Sequence, residues 1–487
     1  MDQTSEKKRS LSTILVLVLL VILLALLILI AVTYALKLPC DDNDDNGTHK
    51  KSRSSSTSFL LFSDIHLDLF YKEDAPAGKM SFCRNESMPS TYNAPYGRIG
   101  CDSPLGLLNQ LLNAMKEQES NVSVDFVMLS GDTCAHQLTT NRRQEALKIM
   151  NTASKAVQST FPDTPYFPNI GNNDLPGHYV MPDENDTWYS DLLNIWEDAI
   201  LCKHCKDHYQ TTTAEELRQT FLYGGYYKVS IAGGKMSLLV LNSMYWTFST
   251  WKPDDYFQER AVNQMMWLEE QLKLANSMNK KVIITSHIAP GIDAWSGLEL
   301  WLSNFTDLYM DLVTNKFSEV IAGQIYAHFH KDSFRFLQAN KKDLSFKNSS
   351  FILLMPSVSV VYKNNPNFRV VHFDPELQAI RDYEQWYMNL VMATEFKNPV
   401  WQLDYKFSSR YPPSGNDDQV INGKRIKNLS DNLINQTDDS FFNGYINSRQ
   451  VRYQPDPFSR FRLYCAVSHY DQADFDLCQK KYFVPGG

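Results

Sequence analysis

The sequence predicts an α/β sandwich, in which helices cover the outer faces of packed β-sheets. From residue 59 onward, short apolar runs of strand length alternate with longer amphipathic stretches, as buried strands and surface helices do. The predicted strands are 59–63, 125–130, 166–170, 237–241, 281–286, 320–326, 351–355 and 368–373. The predicted helices are 105–117, 142–159, 259–277 and 298–316.

A candidate membrane anchor precedes this region. Residues 14–36 carry no charge and, as a helix, are long enough to span the roughly 30 Å hydrocarbon core of a bilayer. A cleaved signal peptide is the alternative, but its apolar segment is usually only about 7–15 residues long. Lys7, Lys8 and Arg9 precede the run, so residues 1–13 should form a cytoplasmic tail. The sequence therefore predicts a single-pass type II membrane protein whose bulk lies in a vacuolar or lysosomal lumen or outside the cell.

Three segments follow the predicted transmembrane helix. Residues 37–58 are polar and Ser-rich without apolar periodicity, which is typical of a flexible stalk. Residues 59–375 contain the alternating strands and helices and form the main domain. Beyond residue 375 the chain becomes rich in Tyr, Phe, Asn and Asp. We expect residues 376–487 to form a small, mainly helical C-terminal subdomain.

Cysteines and sequons support an exported chain. The candidate disulfide pairs are Cys83 with Cys101, Cys202 with Cys205, and Cys465 with Cys478. Local pairs of this kind form in oxidising compartments. The Cys202-x-x-Cys205 motif has an alternative interpretation as half a zinc site or a redox pair, although the chain has no second such motif. Cys40 and Cys134 are left over. The candidate glycosylation sites are Asn46, Asn85, Asn121, Asn185, Asn304, Asn348, Asn428 and Asn435.

The charge of the chain excludes one class of partner. The formal net charge is −8, and no Lys/Arg-rich block occurs in the bulk of the sequence. A protein that binds a nucleic-acid duplex needs a concentrated basic face, so we expect no such partner. A small anionic substrate remains compatible with this charge, because bound metal ions supply positive charge locally.

Residues that suit metal binding follow five predicted strands. The motifs are Phe-Ser-Asp64-Ile-His66, Leu-Ser-Gly-Asp132, Asn-Ile-Gly-Asn172, Ile-Thr-Ser-His287 and Tyr-Ala-His328-Phe-His330. Ligands in α/β folds gather beyond the carboxyl ends of strands, so these side chains should converge. Each motif alone is common, but all five at strand ends indicate one metal site. Carboxylate, amide and imidazole groups suit borderline divalent metals.

This series of motifs resembles the calcineurin-like metallophosphoesterases. The resemblance implies a four-layer α-β-β-α sandwich as the catalytic domain, residues 59–375, and two divalent metal ions, with Zn favoured and Mn, Fe or Co as alternatives. It assigns Asp64, His66 and His330 to one metal and Asn172, His287 and His328 to the other, with Asp132 bridging. It also implies in-line attack on phosphorus by a metal-bound hydroxide.

Further motifs resemble the acid sphingomyelinase-like phosphodiesterase group. They are Phe-Cys83-Arg, Gly-Cys101-Asp-Ser-Pro, Gly-Asp132-Thr-Cys-Ala-His136, Ser-His287-Ile-Ala-Pro-Gly and His330-Lys-Asp332-Ser-Phe. The resemblance extends over about residues 59–482 and includes that group's C-terminal domain. In this group a histidine at the position of His136 contacts the scissile phosphate or the leaving oxygen, which implies a catalytic role. The alternative is a surface histidine on the following helix.

The motif Gly171-Asn172-Asn173-Asp174 departs from the superfamily, which usually has Gly-Asn-His. Asn173 is a catalytic candidate that can donate a hydrogen bond but cannot deliver a proton at neutral pH. Such a site favours leaving groups that need little protonation, such as the phosphate end of a phosphoanhydride. A Gly-Asn-Asn-Asp run also resembles the endopolyphosphatases of the group, which are likewise type II membrane proteins.

Three functional hypotheses follow. The first is an endopolyphosphatase-like hydrolase of phosphoanhydrides, and the second is a phosphodiesterase acting on nucleotides or phospholipid head groups. The third is a surface receptor that has lost turnover, against which stand the complete metal motifs. The region before residue 59 contains no six-cysteine saposin module like that of acid sphingomyelinase, which favours soluble phosphate compounds over sphingomyelin. Polyphosphate, nucleotides and phospholipid head groups are therefore the expected substrates, and the chain's own helix is its expected contact with a membrane.

Overall fold

Two six-stranded β-sheets form the centre of the fold. The computed structural model describes residues 57–77, 82–84, 89–139, 141–203, 205, 211–340, 345–413, 419–455 and 457–482. The predicted cytoplasmic tail, transmembrane helix and most of the stalk lie outside these residues. Within them, no helix is both long enough and apolar enough to cross a membrane.

Strands in the described part of the chain are short and mostly buried. They are β1 (Thr57–Phe62), β2 (Val124–Leu129), β3 (Tyr166–Pro168), β4 (Tyr227–Ile231), β5 (Met236–Val240), β6 (Lys281–Thr285), β7 (Ile321–Tyr326), β8 (Ser333–Leu337), β9 (Ser350–Leu354), β10 (Asn367–Asp374), β11 (Ala379–Met388) and β12 (Trp401–Lys406). The order in the first sheet is β12-β11-β10-β1-β2-β3, and the order in the second is β4-β5-β6-β7-β9-β8.

Each sheet contains a set of neighbouring parallel strands. β1, β2 and β3 are parallel, and so are β5, β6 and β7. These strands are apolar along most of their length, as expected for strands covered on both faces. Because the strands of each set point the same way, their carboxyl ends lie along one edge of the sheet.

Helices pack against both sheets. They are α1 (Leu105–Glu119), α2 (Arg142–Thr160), α3 (Trp188–Leu201), α4 (Ala214–Gly224), α5 (Asp255–Ser277), α6 (Ser303–Met310), α7 (Leu390–Phe396), α8 (Phe407–Arg410), α9 (Gly423–Asn432), α10 (Ser440–Arg449), α11 (Arg460–Ser468) and α12 (Gln472–Tyr482). Helix α1 contacts β10 of the first sheet, and α5 contacts β6 of the second. The predicted α/β class is therefore confirmed, with two sheets and helices against each.

The two sheets are joined by buried polar contacts as well as by apolar packing. Asn169, which follows β3, donates a hydrogen bond from Nδ2 to Thr285 Oγ1 of β6 at 3.0 Å. Arg369 of β10 donates from NH1 to the Leu354 carbonyl of β9 at 3.2 Å and from NH2 to Asp332 Oδ1 at 2.6 Å. A buried guanidinium needs such acceptors, because leaving it unpaired is costly. These contacts fix the sheets at the edge where the polar motifs lie.

Some elements were not predicted, and the ends of others differ from the prediction. Each of the eight predicted strands is present, but β4, β8, β11 and β12 were not predicted. The predicted helix 298–316 begins only at Ser303, because Glu299 and Trp301 form β-bridges with Ile292 and Thr247. Its last part is a π-helix, Asp311–Lys316. Helix α5 begins earlier than predicted because Asp254 caps it, accepting the backbone N–H of Phe257.

The C-terminal region differs from the small, mainly helical subdomain predicted for residues 376–487, because its first part is a β-hairpin extension of the first sheet. Strands β11 and β12 extend the first sheet beyond β10, so a boundary at residue 375 falls within a β-hairpin. The side chains of β11 alternate between buried and partly exposed, which the sequence shows as an amphipathic stretch without specifying a strand. Helices α9 and α11 then pack against β8 of the second sheet. The C-terminal region thus combines two strands and the short helix α7 with a helical segment after β12.

The three predicted disulfides are confirmed. They join Cys83 to Cys101, Cys202 to Cys205, and Cys465 to Cys478. Cys134 is a buried free thiol beside α2, with its Sγ 3.6 Å from the Ala146 carbonyl. Burial raises the pKa of the Cys134 thiol well above its ordinary value, so it is protonated at neutral pH.

Candidate metal centre

The seven predicted metal ligands lie at the carboxyl ends of parallel strands from both sheets. β1 is followed by Asp64 and His66, β2 by Asp132, β3 by Asn172, β6 by His287, and β7 by His328 and His330. Six of these residues are 2% exposed or less, and His328 is half-buried. Residues separated by up to 266 positions in the chain are therefore brought into one buried cluster.

The cluster contains two groups of potential ligands. One is Asp64, His66 and His330, and the other is Asp132, His287 and His328, with the ligand atoms of each group within 4.8 Å of one another. Asp132 Oδ2 lies 3.3 Å from His287 Nε2 and 3.5 Å from His66 Nε2, so this carboxylate lies between the groups. This position suits a ligand shared by two metal ions.

The backbone at these positions is unusual. Five of the seven residues have positive φ: Asp64 (49°), His66 (44°), Asp132 (55°), His328 (73°) and His330 (58°). Non-glycine residues rarely adopt this conformation, which costs roughly 1–3 kcal/mol at each position and concentrates at functional sites. The fold thus maintains strained turns in order to direct these side chains to one point.

Backbone carbonyls orient two of the imidazoles. His66 Nδ1 donates to the Cys134 carbonyl at 3.0 Å, and His287 Nδ1 donates to the Ser130 carbonyl at 2.7 Å. Each ring therefore presents Nε2 to the cluster, which is the arrangement seen for metal-binding histidines. Gly131 makes the second contact possible, because a Cβ at this position would lie 2.7 Å from His287 Nδ1.

The Gly-Asn-Asn-Asp turn supports Asp132. Asn173 donates its backbone N–H to Asp132 Oδ1 at 2.8 Å and its side-chain Nδ2 to Asp132 Oδ2 at 2.9 Å. Asp174 Oδ1 accepts the backbone N–H groups of Thr133 and Cys134 at 2.8 and 2.9 Å. The turn and the Asp132 loop are therefore locked together. Asn173, predicted to be catalytic, occupies a position from which it holds the Asp132 carboxylate.

The electrostatics of the cluster favour neutral imidazoles at most positions. Burial lowers the pKa of His66 to about 4 and the pKa of His328 to about 3, and it holds the pKa of His330 well below its usual range. His287 is the exception. Burial lowers its pKa, but the charges of Asp132 and Asp64 outweigh this effect and raise the pKa to about 9. A neutral imidazole is the form that binds a metal.

These residues fit divalent metal ions. Asp64 Oδ1, Asn172 Oδ1 and His287 Nε2 are buried without a hydrogen-bond partner among the described residues. His66 Nε2 and His330 Nε2 lie 3.1 Å apart, although both imidazoles are neutral and at most one can donate to the other. Unpaired buried polar atoms are expensive, and a cation shared by these nitrogens and oxygens would remove that cost. Two cations among carboxylate, amide and imidazole ligands agree with the preferences of borderline divalent metals.

His136 lies beside the cluster and is held by a buried carboxylate. Its ring stacks on His66 with the ring centres 4.1 Å apart. Asp102, which is fully buried, accepts the backbone N–H of His136 at 2.7 Å and the ring Nδ1–H at 2.9 Å. This bond leaves His136 Nε2 as the nitrogen that can exchange a proton with a ligand.

Sequence reasoning missed several neighbours of the site. Asp102 occurs in the Gly-Cys101-Asp-Ser-Pro motif, but only its contact with His136 shows what it does. Tyr362 packs edge-on against His330 with ring centres 4.6 Å apart, and no sequence pattern indicated it. His178, five positions after Asn173, places Nε2 3.4 Å from Asn172 Nδ2. The sequence did offer one indication of His178: it is the first histidine after a Gly-Asn-Asn-Asp turn that lacks the usual histidine.

Two cavities adjoin the cluster and share Tyr362 in their walls. The larger, about 880 Å³, reaches from His328 to the C-terminal helices and is lined by aromatic residues including Trp295 and Phe329. The smaller, about 520 Å³, is lined by His136 and His178 among others. Cavities of several hundred Å³ with a few convergent polar groups are typical of ligand sites.

Comparison with known proteins gives the same answer as the geometry. Residues 57–332, more than half of the chain, match the calcineurin-like phosphoesterase family. The chain belongs to this family. It is a metal-dependent phosphoric ester hydrolase, and the expected relationship to acid sphingomyelinase-like phosphodiesterases is confirmed by its relatives.

Those relatives cover most of the chain. The sphingomyelinase phosphodiesterase D of Dictyostelium discoideum is 28% identical over 375 residues, covering 75% of this chain and 77% of the relative. The human acid sphingomyelinase-like phosphodiesterase 3b is also 28% identical, covering 74% and 77%. The cyclic GMP-AMP phosphodiesterase SMPDL3A of Bos taurus is 25% identical over 443 residues, covering 88% of this chain and 91% of the relative.

The Cys83–Cys101 disulfide supports His136 from two sides. Arg84 donates to the carbonyls of His136 and Gln137 at 3.0 and 2.8 Å, while Asp102 binds His136 directly. Replacing both cysteines with alanine should destabilise the fold by about 3 kcal/mol, the value for a disulfide that closes a loop of this length. We also expect phosphoric ester hydrolysis to fall, because both supports of His136 lose their anchor.

Urea denaturation and kcat/KM without denaturant would check this prediction. The matched control is the double alanine variant of Cys465 and Cys478. The disulfide that it removes closes a loop of similar length away from His136. It should lose comparable stability and retain most of its activity. Equal activity in the two double variants would contradict a role for the first disulfide in positioning His136.

Proposed function

We propose that this chain is a phosphodiesterase that hydrolyses soluble, nucleotide-type phosphodiesters. The observation that carries this proposal is the continuity between the metal centre and the larger cavity, since His328 belongs to both. The cavity walls combine aromatic rings with cationic side chains, the two features that a nucleoside phosphate requires. A phosphate placed at the cluster would therefore extend the rest of its molecule into this cavity.

The chain's own residues have distinct tasks in this reaction. Asp64, His66, His330, Asp132, Asn172, His287 and His328 would hold two divalent metals, of which zinc is our proposal and manganese, iron or cobalt the alternatives. Such metals stabilise charge on phosphoryl oxygens and supply an acidic water. Asn173 and Ser130 fix Asp132 and His287, respectively, while Asp102 orients His136. His136 is placed to protonate the departing oxygen.

The relatives favour a phosphodiesterase over the endopolyphosphatase that Asn173 first suggested. Phosphodiesterase is the activity named for all three of the relatives described above. The structural use of Asn173 points the same way, because its amide is committed to Asp132. The inability of Asn173 to deliver a proton is therefore no argument about the leaving group, and His136 supplies the acid instead.

A panel of substrates tests the proposal. The full chain, purified with divalent metal, should hydrolyse a dinucleotide and an aryl phosphodiester, with little action on long-chain polyphosphate or on sphingomyelin vesicles. The matched negative control is Asp132→Asn. Shortening of polyphosphate without cleavage of either diester would favour the endopolyphosphatase alternative. Bound metal without turnover of any substrate would favour a receptor that has lost its activity.

We also propose that the chain is an exported, glycosylated type II membrane protein. The apolar run at residues 14–36 supports the anchor, and three disulfides support an oxidising compartment. Of the candidate glycosylation sites in the described residues, Asn428 is half-buried and the others are exposed: Asn121, Asn185, Asn304, Asn348 and Asn435. Asn46 and Asn85 lie outside the described residues. A catalytic domain in a vacuolar or lysosomal lumen or outside the cell would follow.

A further inference from the structure

Arg335 is a buried cation in the wall of the larger cavity. It lies on β8 and is only 4% exposed. Its NH2 group donates to the Ile292 carbonyl at 2.6 Å. Its Nε and NH1 groups have no hydrogen-bond partner among the described residues. A guanidinium normally uses most of its five N–H donors when buried, so this side chain is underpaired.

The surroundings of Arg335 hold it in place, and Asp293 is the carboxylate whose charge acts on it. Its guanidinium carbon lies 5.0 Å from the centre of the Phe329 ring. Gly291 has φ +100°, and a Cβ at this position would overlap Arg335 NH1. Burial lowers the pKa of Arg335 to about 10, so the group is still charged at neutral pH. A buried charge with few partners persists at a free-energy cost that an anionic ligand would remove.

The charged residues of the cavity wall favour an anion. Lys331, Arg335, Lys363 and Arg449 line it together with a single carboxylate, Asp293. The chain as a whole has the opposite sign, with a formal net charge of −8. Both Asp293 carboxylate oxygens already accept backbone N–H groups, from Trp295 at 2.9 Å and Ser296 at 3.0 Å. A concentration of cations in an acidic protein marks this wall as a place for negative charge.

We propose that Arg335 forms a second anion subsite, which binds a phosphate group of the substrate other than the one being cleaved. This inference rests on the proposed function, because it names the kind of phosphodiester that the site prefers. The scissile phosphate occupies the metal centre beside His328, and the second phosphate is held in the cavity against Arg335. Substrates with two phosphates are therefore preferred over otherwise identical substrates with one.

A matched pair of dinucleotides tests this preference. ApA and its 5′-phosphorylated form pApA contain the same scissile bond and differ by one phosphate. We expect wild-type kcat/KM to be at least about tenfold higher for pApA, the effect of one charge-assisted hydrogen bond. Arg335→Gln should remove that advantage, so that it lowers kcat/KM for pApA at least about tenfold more than kcat/KM for ApA. Arg335→Lys, which keeps the charge, should restore part of it.

Two controls make the outcomes distinct. Arg218→Gln removes an exposed arginine paired with Glu197 and should change neither substrate. Titration of the full chain with adenosine 3′,5′-bisphosphate and with AMP measures the subsite without turnover, and Arg335→Gln should weaken only the bisphosphate. Cleavage of both dinucleotides without a preference would overturn the subsite and leave the proposed function standing. Tight, Arg335-dependent binding of the bisphosphate without cleavage would do the reverse.

Discussion

Asp132→Asn is expected to lower kcat/KM for a phosphodiester by more than about 100-fold and to reduce the bound divalent metal. Substituting a residue that only supports a metal ligand typically lowers metal affinity or activity by about 10–100-fold. Asp132 should matter more, because it lies between both ligand groups. The substitution also disrupts the hydrogen bonds between Asn173 and residue 132. Asn173 donates one N–H to each Asp132 oxygen, so either orientation of an asparagine amide would set its NH2 group against a donor.

Metal content by mass spectrometry and steady-state kinetics on an aryl phosphodiester would measure these effects. Asp198→Asn is the matched control, because Asp198 is an exposed aspartate whose side chain is 61% accessible. It should keep wild-type activity and metal. A variant at position 132 that retains two metals per chain and more than a tenth of the activity would contradict the bridging role.

The fold could be predicted where its elements are strongly apolar. The parallel strands contain continuous apolar runs such as Phe59–Phe62 and Val282–Ile284, which are typical of strands covered on both faces. Strand β8 was missed because Ser333 and Arg335 interrupt its apolar pattern. Its burial comes from helices α9 and α11, which begin about 90 and 125 positions later in the chain. A pattern within one segment carries no information about such distant covers.

The residues of the candidate site likewise fall into those that a local sequence pattern predicts and those that depend on distant parts of the chain. The seven metal-ligand candidates were recognisable because they follow strands, and the carboxyl ends of parallel strands lie along one edge of a sheet. Asp102 and Tyr362 reach the site from loops, and their positions depend on the Cys83–Cys101 disulfide and on the chain after β9. Arg335 is more informative still, because in the sequence it is one cation among many. Only its burial and its missing partners distinguish it.

His136→Gln is the second substitution with a large expected effect, and its size should depend on the leaving group. General acids typically contribute about 10²–10⁴-fold, so hydrolysis of a dinucleotide should fall by at least about 100-fold. A p-nitrophenyl ester leaves without protonation, so its hydrolysis should fall far less. Glutamine preserves a hydrogen-bonding side chain, which leaves loss of the acid as the main change. Equal losses on both substrates would assign His136 a binding role instead.

The pH profile provides an independent test through Asp102. Burial lowers the pKa of His136, but the charge of Asp102 and its hydrogen bond raise that pKa above the ordinary value. Removing the charge with Asp102→Asn should therefore lower the pKa of His136, so the ring loses its proton at a lower pH. The alkaline limb of kcat/KM for a dinucleotide should move to lower pH, while the same limb for a p-nitrophenyl ester should not. An unmoved limb for the dinucleotide would show that another group delivers the proton.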